Sequence, residues 1–178
     1  MLPELKSGTV VHDSQLAWRL YADGDDIISN FAIEEWRLVA SDVDTEEELA
    51  GLLGSYPDRI RGLVLYSNTS GEKLAFAYLL DEGGPYNAVS FHGGGWGKSI
   101  RHSMWHFRGV VLLVEYLLLN DCDVTTYCMR ENSKAVRFMS AVGFVPYCTT
   151  GDRVYMRVNI ERLRSSRVYG RFLQGLAG

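Results

Sequence analysis

"RENSKAVRFMSAVGF", residues 130–144, decides how the rest of this chain reads. The run before it, "DVTTYCM", has the β-branched and aromatic content of a strand, and "FVPYCTT" after it has the same character. Asn132 directly follows the first strand and opens a helix, so its side chain is placed either to cap that helix or to turn toward a ligand. Gly143 is a natural helix C-cap, after which Phe144 enters the core as the next strand begins. The segment is a strand-helix-strand unit with a cap at each end.

Moving outward, Gly151-Asp152 joins the second strand to "RVYMRVNI", and the basic tail of residues 161–178 is read as helical. Toward the N-terminus, Met104–Asn120 is apolar on nearly every face, as a helix packed against a sheet must be. "YNAVSFH" before it is a strand, so residues 86–129 predict a right-handed parallel crossover. "RIRGLVLYS" and "KLAFAYLLD" are strands joined by the turn-forming "NTSGE", an antiparallel hairpin. "DTEEELAGLLGSY" is a helix capped by Asp44 or Thr45, with acids in the first turn and Gly54 near its end. Residues 25–40 show helical spacing in places. A strand at Thr9–His12 is followed by Asp13-Ser14, read as the cap of a helix running toward Tyr21. The expected fold is α/β (α+β): a mixed, mostly antiparallel sheet of six to seven strands flanked by helices. With no repeat or linker, residues 1–178 are read as a single domain.

Composition bounds the class. The chain has 178 residues, 47% apolar and 22% charged, as ordinary globular proteins do. Charge is split: residues 1–60 carry thirteen acids and four bases, whereas residues 98–178 carry twelve bases and six acids. That division suits an anionic ligand in the C-terminal half and a cationic one nearer the N-terminal half, and an uneven solvated surface explains it equally. Three cysteines without a C-x-x-C pair suggest neither a disulfide framework nor zinc, so a cytoplasmic setting is expected. The start lacks a signal-peptide pattern, and Met104–Leu119 is too short for a membrane span and carries Arg108 and Glu115. His102 and His106 are four apart but lack a carboxylate or thiol partner, so no metal is expected.

The element order, with Asn132, Ala135 and Gly143-Phe144 at matching spacing, resembles the GNAT superfamily of N-acetyltransferases over nearly the whole chain. The resemblance implies acetyl-CoA as acyl donor, with its pyrophosphate on backbone N–H groups at the start of the helix after the fourth strand. The equivalent segment is Met104–Gly109, which departs from the family's Q/R-x-x-G-x-G/A pattern: Gly109 fits, and Phe107 stands where a glycine is usual. The implied cofactor residues are His106, Phe107, Arg108 and Gly109, then Asn132, Ala135 and Phe138 on the next helix. "FHGGGWGKSIRH", residues 91–102, is read as a long loop leaving the fourth strand near His92. It would bring Lys98 and Arg101 to the phosphates. It is a poor P-loop, because the first glycine that motif requires would fall at His92.

The family's usual proton-donating tyrosine corresponds to Met139, which cannot donate. His92 and Tyr127 are the candidate catalytic substitutes. The implied acceptor pocket would use Phe31, Glu34 and Glu35, and the Gly151-Asp152 turn. The expected activity is acetyl transfer from acetyl-CoA to a primary amine of a small molecule or peptide by direct attack. The rival expectation is a catalytically inactive GNAT-fold module that senses CoA or binds a protein. The tail arginines Arg162, Arg164, Arg167 and Arg171 are read as a solvated or subunit-packing face, which allows a homodimer, rather than as a nucleic-acid surface.

Overall fold

The computed structural model describes residues 9–21, 45–56, 58–83, 87–96 and 105–176. The chain opens with a β-hairpin of β1 (Thr9–His12) and β2 (Leu16–Leu20). The helix expected after Asp13 is therefore a strand. The Asp13 carboxylate accepts the backbone N–H groups of Gln15 at 2.7 Å and Leu16 at 2.8 Å. That is the chemistry of an N-cap, and here it closes a chain reversal instead. Leu16 and Trp18, two apart and fully buried, then point to one face of the sheet.

Residues 25–40 lie outside the described residues. Helix α1 (Glu46–Ser55) follows, with Thr45 Oγ1 accepting the Glu48 N–H at 3.2 Å as its N-cap. β3 (Ile60–Ser67) and β4 (Lys73–Gly83) form the expected hairpin. β5 runs from Ala88 to Trp96, so the strand continues through the three glycines instead of ending at His92. Helix α2 (Trp105–Leu119) leads to β6 (Asp123–Met129), and β6 to α3 (Ser133–Ala141). β7 (Phe144–Thr150) and β8 (Arg153–Val158) close the sheet, and the tail forms α4 (Ile160–Ser165) and α5 (Arg167–Leu176).

Among the described residues, eight strands share one sheet, in the order β1-β2-β3-β4-β5-β6-β8-β7. β2 is the strand beyond the six or seven expected. β5 and β6 are parallel and every other neighbouring pair is antiparallel. Alternation along the strands sends Leu63, Leu65, Ala77, Leu79, Phe91, Val124 and Met156 into the core beneath α2. Two glycines set how closely the helices approach. A Cβ on Gly109 would stand 2.6 Å from Leu65 Cδ2, so its absence lets α2 settle onto the sheet. Gly143 has φ +94° and meets the backbone of Leu163 on α4, where an added Cβ would stand 2.5 Å from Cα. The Gly-Phe pair thus marks where the tail crosses back over the domain. Glu115 on α2 accepts two hydrogen bonds from Arg164, each 3.3 Å, and Leu163 and Phe172 of the tail are buried. Among the described residues, no helix is long and apolar enough to cross a membrane.

Candidate active site

Among the described residues, β5 and β6 pair at three positions, Ala88 with Asp123, Val89 with Val124 and Ser90 with Thr125. Beyond these each strand stays bound to its outer neighbour. Phe91 and His92 pair with Leu79 and Tyr78 of β4, while Thr126 to Met129 pair with β8. The parallel neighbours therefore part into a V-shaped gap. The glycines help to open it. Gly93 pairs with Ala77 and Trp96 with Ala75, so three steps along β5 match two along β4. That extra residue is a β-bulge, which bends a strand and increases its twist, and glycine tolerates the backbone it requires.

Because β5–α2–β6 is a parallel crossover, α2 starts at the end of the sheet where the gap is widest. α3 begins there too, directly after β6. Two helix N-termini with their positive dipole ends thus meet the open end of the V, an arrangement suited to an anion. Within α2 the candidate cofactor residues divide. His106 and Phe107 turn toward α3, where their rings and that of Phe138 form a cluster with centroids 4.6 to 5.2 Å apart. Arg108 and Gly109 turn the other way. Arg108 Nε donates to Asp13 Oδ2 at 2.7 Å and a terminal nitrogen donates to Gln15 Oε1. Trp18 Nε1 donates to the Gly109 carbonyl at 2.8 Å. Asn132 uses its side-chain oxygen to cap α3 through the Ala135 N–H at 3.0 Å. Lys98 and Arg101 lie outside the described residues.

On the opposite face, His92 and Tyr127 look at each other across the gap, with ring centroids 4.6 Å apart. His92 is 3% exposed and stacks on Tyr78 at 4.8 Å. The Arg153 guanidinium lies 4.9 Å over the Tyr127 ring. These groups line a cleft of about 660 Å³ together with Tyr155, Leu52 of α1 and Tyr56, the residue that follows that helix. Among the described residues its charges are mixed: Glu48 and Glu82 against Arg59 and Arg153. The candidate substrate residues Phe31, Glu34 and Glu35 lie outside the described residues.

His92 and Tyr127, chosen from sequence, are thus brought together, whereas Tyr78, Tyr155, Arg153 and the α1 wall were missed. "RVYMRV" alternates, so Arg153 and Tyr155 could have been placed on one face. Which face meets a cleft depends on α1, and no local pattern reports that. Among the described residues, no group of three or more His, Cys, Asp or Glu could hold a metal ion.

No family model and no curated protein matches the sequence. Solved structures do match in fold. A GCN5-related N-acetyltransferase from Brucella melitensis superposes with a TM-score of 0.73 at 14% identity, covering 97% of this chain and 86% of that one. An uncharacterized protein from Bacillus halodurans gives a TM-score of 0.72 at 13% identity, over 97% of this chain and 98% of its own. Spermidine N-acetyltransferase from Vibrio cholerae, solved with CoA and spermine, gives 0.59 at 16% identity, over 82% of this chain and 94% of its own. The chain has the fold of GNAT acetyltransferases.

Proposed function

We propose that this GNAT-fold chain is an N-acetyltransferase that moves an acetyl group from acetyl-CoA to a primary amine by direct attack. The observation that carries the reading is the parting of β5 from β6 after Ser90 and Thr125, with His92 and Tyr127 facing each other across the gap. The donor fits what is present. The register of β5 with β6 runs from Ala88 to Ser90, and beyond it the two strands follow β4 and β8. The two helix N-termini at the wide end suit the donor's phosphates.

Acetyl-CoA supplies an acyl group activated as a thioester. His92 is the base in this reading, taking a proton from the attacking amine, because an imidazole nitrogen can accept one and this ring faces the acceptor cleft. Tyr127 is the acid, its phenol returning a proton to the departing sulfur. The rings of Tyr78 and Tyr127 hold the imidazole between them and limit the ways it can turn. Burial of His92 keeps bulk water from competing for the proton.

The test is a thermal melt of the purified chain with acetyl-CoA, CoA and ATP, followed by thiol release across a panel of amines. Acetyl-CoA should raise the melting point by mass action, and at least one amine should release CoA. Stabilisation by ATP and not by CoA would overturn the reading. One observation favours a second reading, a CoA-binding module without catalysis: Met139, at the family's tyrosine position, is 6% exposed and sits in the core. Stabilisation by acetyl-CoA with no thiol release from any amine would favour that module.

A further inference from the structure

Arg153 stands first in β8, directly after the Gly151-Asp152 turn, where Gly151 has φ +59°. The Asp152 carbonyl accepts the Arg130 N–H at 2.6 Å, which ties that turn to the residue after β6. In the register of β6 with β8, Met129 pairs with Arg153 and Tyr127 with Tyr155. Arg153 is therefore the diagonal neighbour of Tyr127 on the face that lines the cleft, a separation that a long side chain spans. Its guanidinium carbon lies 4.9 Å from the centre of the Tyr127 ring. The same ring meets His92 at 4.6 Å and Tyr155 at 5.9 Å, tilted by 57° and 53°. An imidazole, a guanidinium and a second phenol thus surround one phenol.

An arginine side chain stays charged at any working pH, and what changes as the reaction runs is the group beneath it. Against a neutral phenol it is a cation over a π face. In the acetyltransferase reading the amine nitrogen bonds to the acyl carbon and the carbon–sulfur bond breaks. His92 takes the amine proton, and the Tyr127 hydroxyl gives its own to the sulfur. Tyr127 is then a phenolate and His92 an imidazolium. Passage of a proton from the second to the first restores both, and the products are the amide and the CoA thiol. While the phenolate exists, the Arg153 charge faces an anion, and the attraction strengthens. An interaction that grows along the reaction lowers the barrier, whereas one of constant strength only anchors the ring.

We infer that Arg153 is a positioning residue: it fixes the Tyr127 ring opposite His92 and supports the charge that forms when the phenol donates its proton. The inference deepens the acetyltransferase reading and rests on it for its chemistry. Arg153 acts through Tyr127 and not on the acceptor.

The experiment measures kcat and KM with acetyl-CoA and the amine that the wild type acetylates. The variants are Arg153→Met, Arg153→Lys, Tyr127→Phe and the double variant Arg153→Met/Tyr127→Phe. Arg153→Met should lower kcat about tenfold, the scale of a half-buried cation–π contact, and leave both KM values unchanged. Arg153→Lys keeps the charge without the planar fork and should recover part of that loss. In the double variant kcat should match that of Tyr127→Phe alone, because no phenol is left for Arg153 to serve. Losses that multiply in the double variant would overturn the inference. So would a raised KM for the amine with kcat intact, which would put Arg153 on the acceptor. Alongside, NMR follows the protein carrying ring-labelled tyrosine, the Tyr127 signal being the one absent from Tyr127→Phe. That signal should move in Arg153→Met and return toward its wild-type position in Arg153→Lys. If no amine releases thiol, the acetyltransferase reading fails by itself and the signal decides. Movement upholds the hold of Arg153 on the ring, and a signal that stays in place removes it.

Discussion

Asp13 and Arg108, 95 positions apart, meet with Oδ2 and Nε 2.7 Å from each other, the carboxylate fully buried and the guanidinium nearly so. The same carboxylate closes the β1–β2 reversal, so one side chain ties the first hairpin to the first turns of α2. Arg108→Ala would leave that charge buried without its cation. Removing one member of a buried pair costs on the order of 3–5 kcal/mol, and a loss of that size is expected in chemical denaturation. A loss under about 1 kcal/mol together with weakened acetyl-CoA binding would mean that Arg108 serves the donor's phosphates instead.

Gly109→Ala and Gly143→Ala should separate two kinds of constraint. At Gly109 the obstacle is the end of the Leu65 side chain, which is fully buried and has little room to move. Overpacking of that kind costs about 1–3 kcal/mol, and Leu65→Val should recover part of it. At Gly143 the obstacle is the Leu163 backbone, and φ is +94°. The loss should be larger there, with no recovery from trimming Leu163. Equal melting points for the two variants would contradict this.

His92→Gln keeps a polar side chain of similar reach and removes the base. With the amine that the wild type acetylates, kcat should fall roughly 10²- to 10⁴-fold, the usual contribution of a positioned proton acceptor. Acetyl-CoA affinity should hold, since His92 lies on the acceptor face. A fall in affinity with kcat intact would place His92 in donor binding. Tyr127→Phe keeps the ring contacts and should lower kcat.

The three thiols should differ in reactivity. Cys148 is exposed, whereas Cys122 and Cys128 are buried, and burial pushes the Cys128 thiol up to about 11. Only thiolate reacts with a maleimide, so at pH 8 the native chain should label once and the denatured chain at all three cysteines. A thiol whose folded pKa is raised stabilises the fold fully below its unfolded value near 9. That contribution is lost as pH rises through about 11. Cys128→Ala should therefore show a shallower decline of stability over that interval; an unchanged slope would remove Cys128 as its source.

The strand-helix-strand unit around residues 130–144 was legible because each of its signals acts locally. Asn132 caps three residues ahead, and Gly143 supplies a positive φ at a helix end. The β3–β4 hairpin, α1 and α2 were legible for the same reason, through turn residues, capping chemistry and apolar content. His92 and Tyr127 could be chosen as side chains able to move a proton on the two strands that the family resemblance puts beside the site. Arg108 and Gly109 could not be separated in role from His106 and Phe107. Neighbours on a helix point about 100° apart, and only the packed partners show which direction meets a ligand.

By itself, the sequence determined the order of most elements, the caps that bound them, and two of the residues that face the gap. Tertiary structure decided the rest. Asp13 can begin a helix or close a turn with the same hydrogen bonds, and what selects the strand is pairing of Leu16–Leu20 with β3, some 45 positions away. The three glycines are compatible with a loop or a strand, and pairing with β4 makes them a bulge that helps β5 leave β6. Tyr78 meets His92 and Tyr127 meets Tyr155 only where strands distant in sequence lie in register, because side-chain neighbours across a sheet are fixed by pairing and not by spacing along the chain.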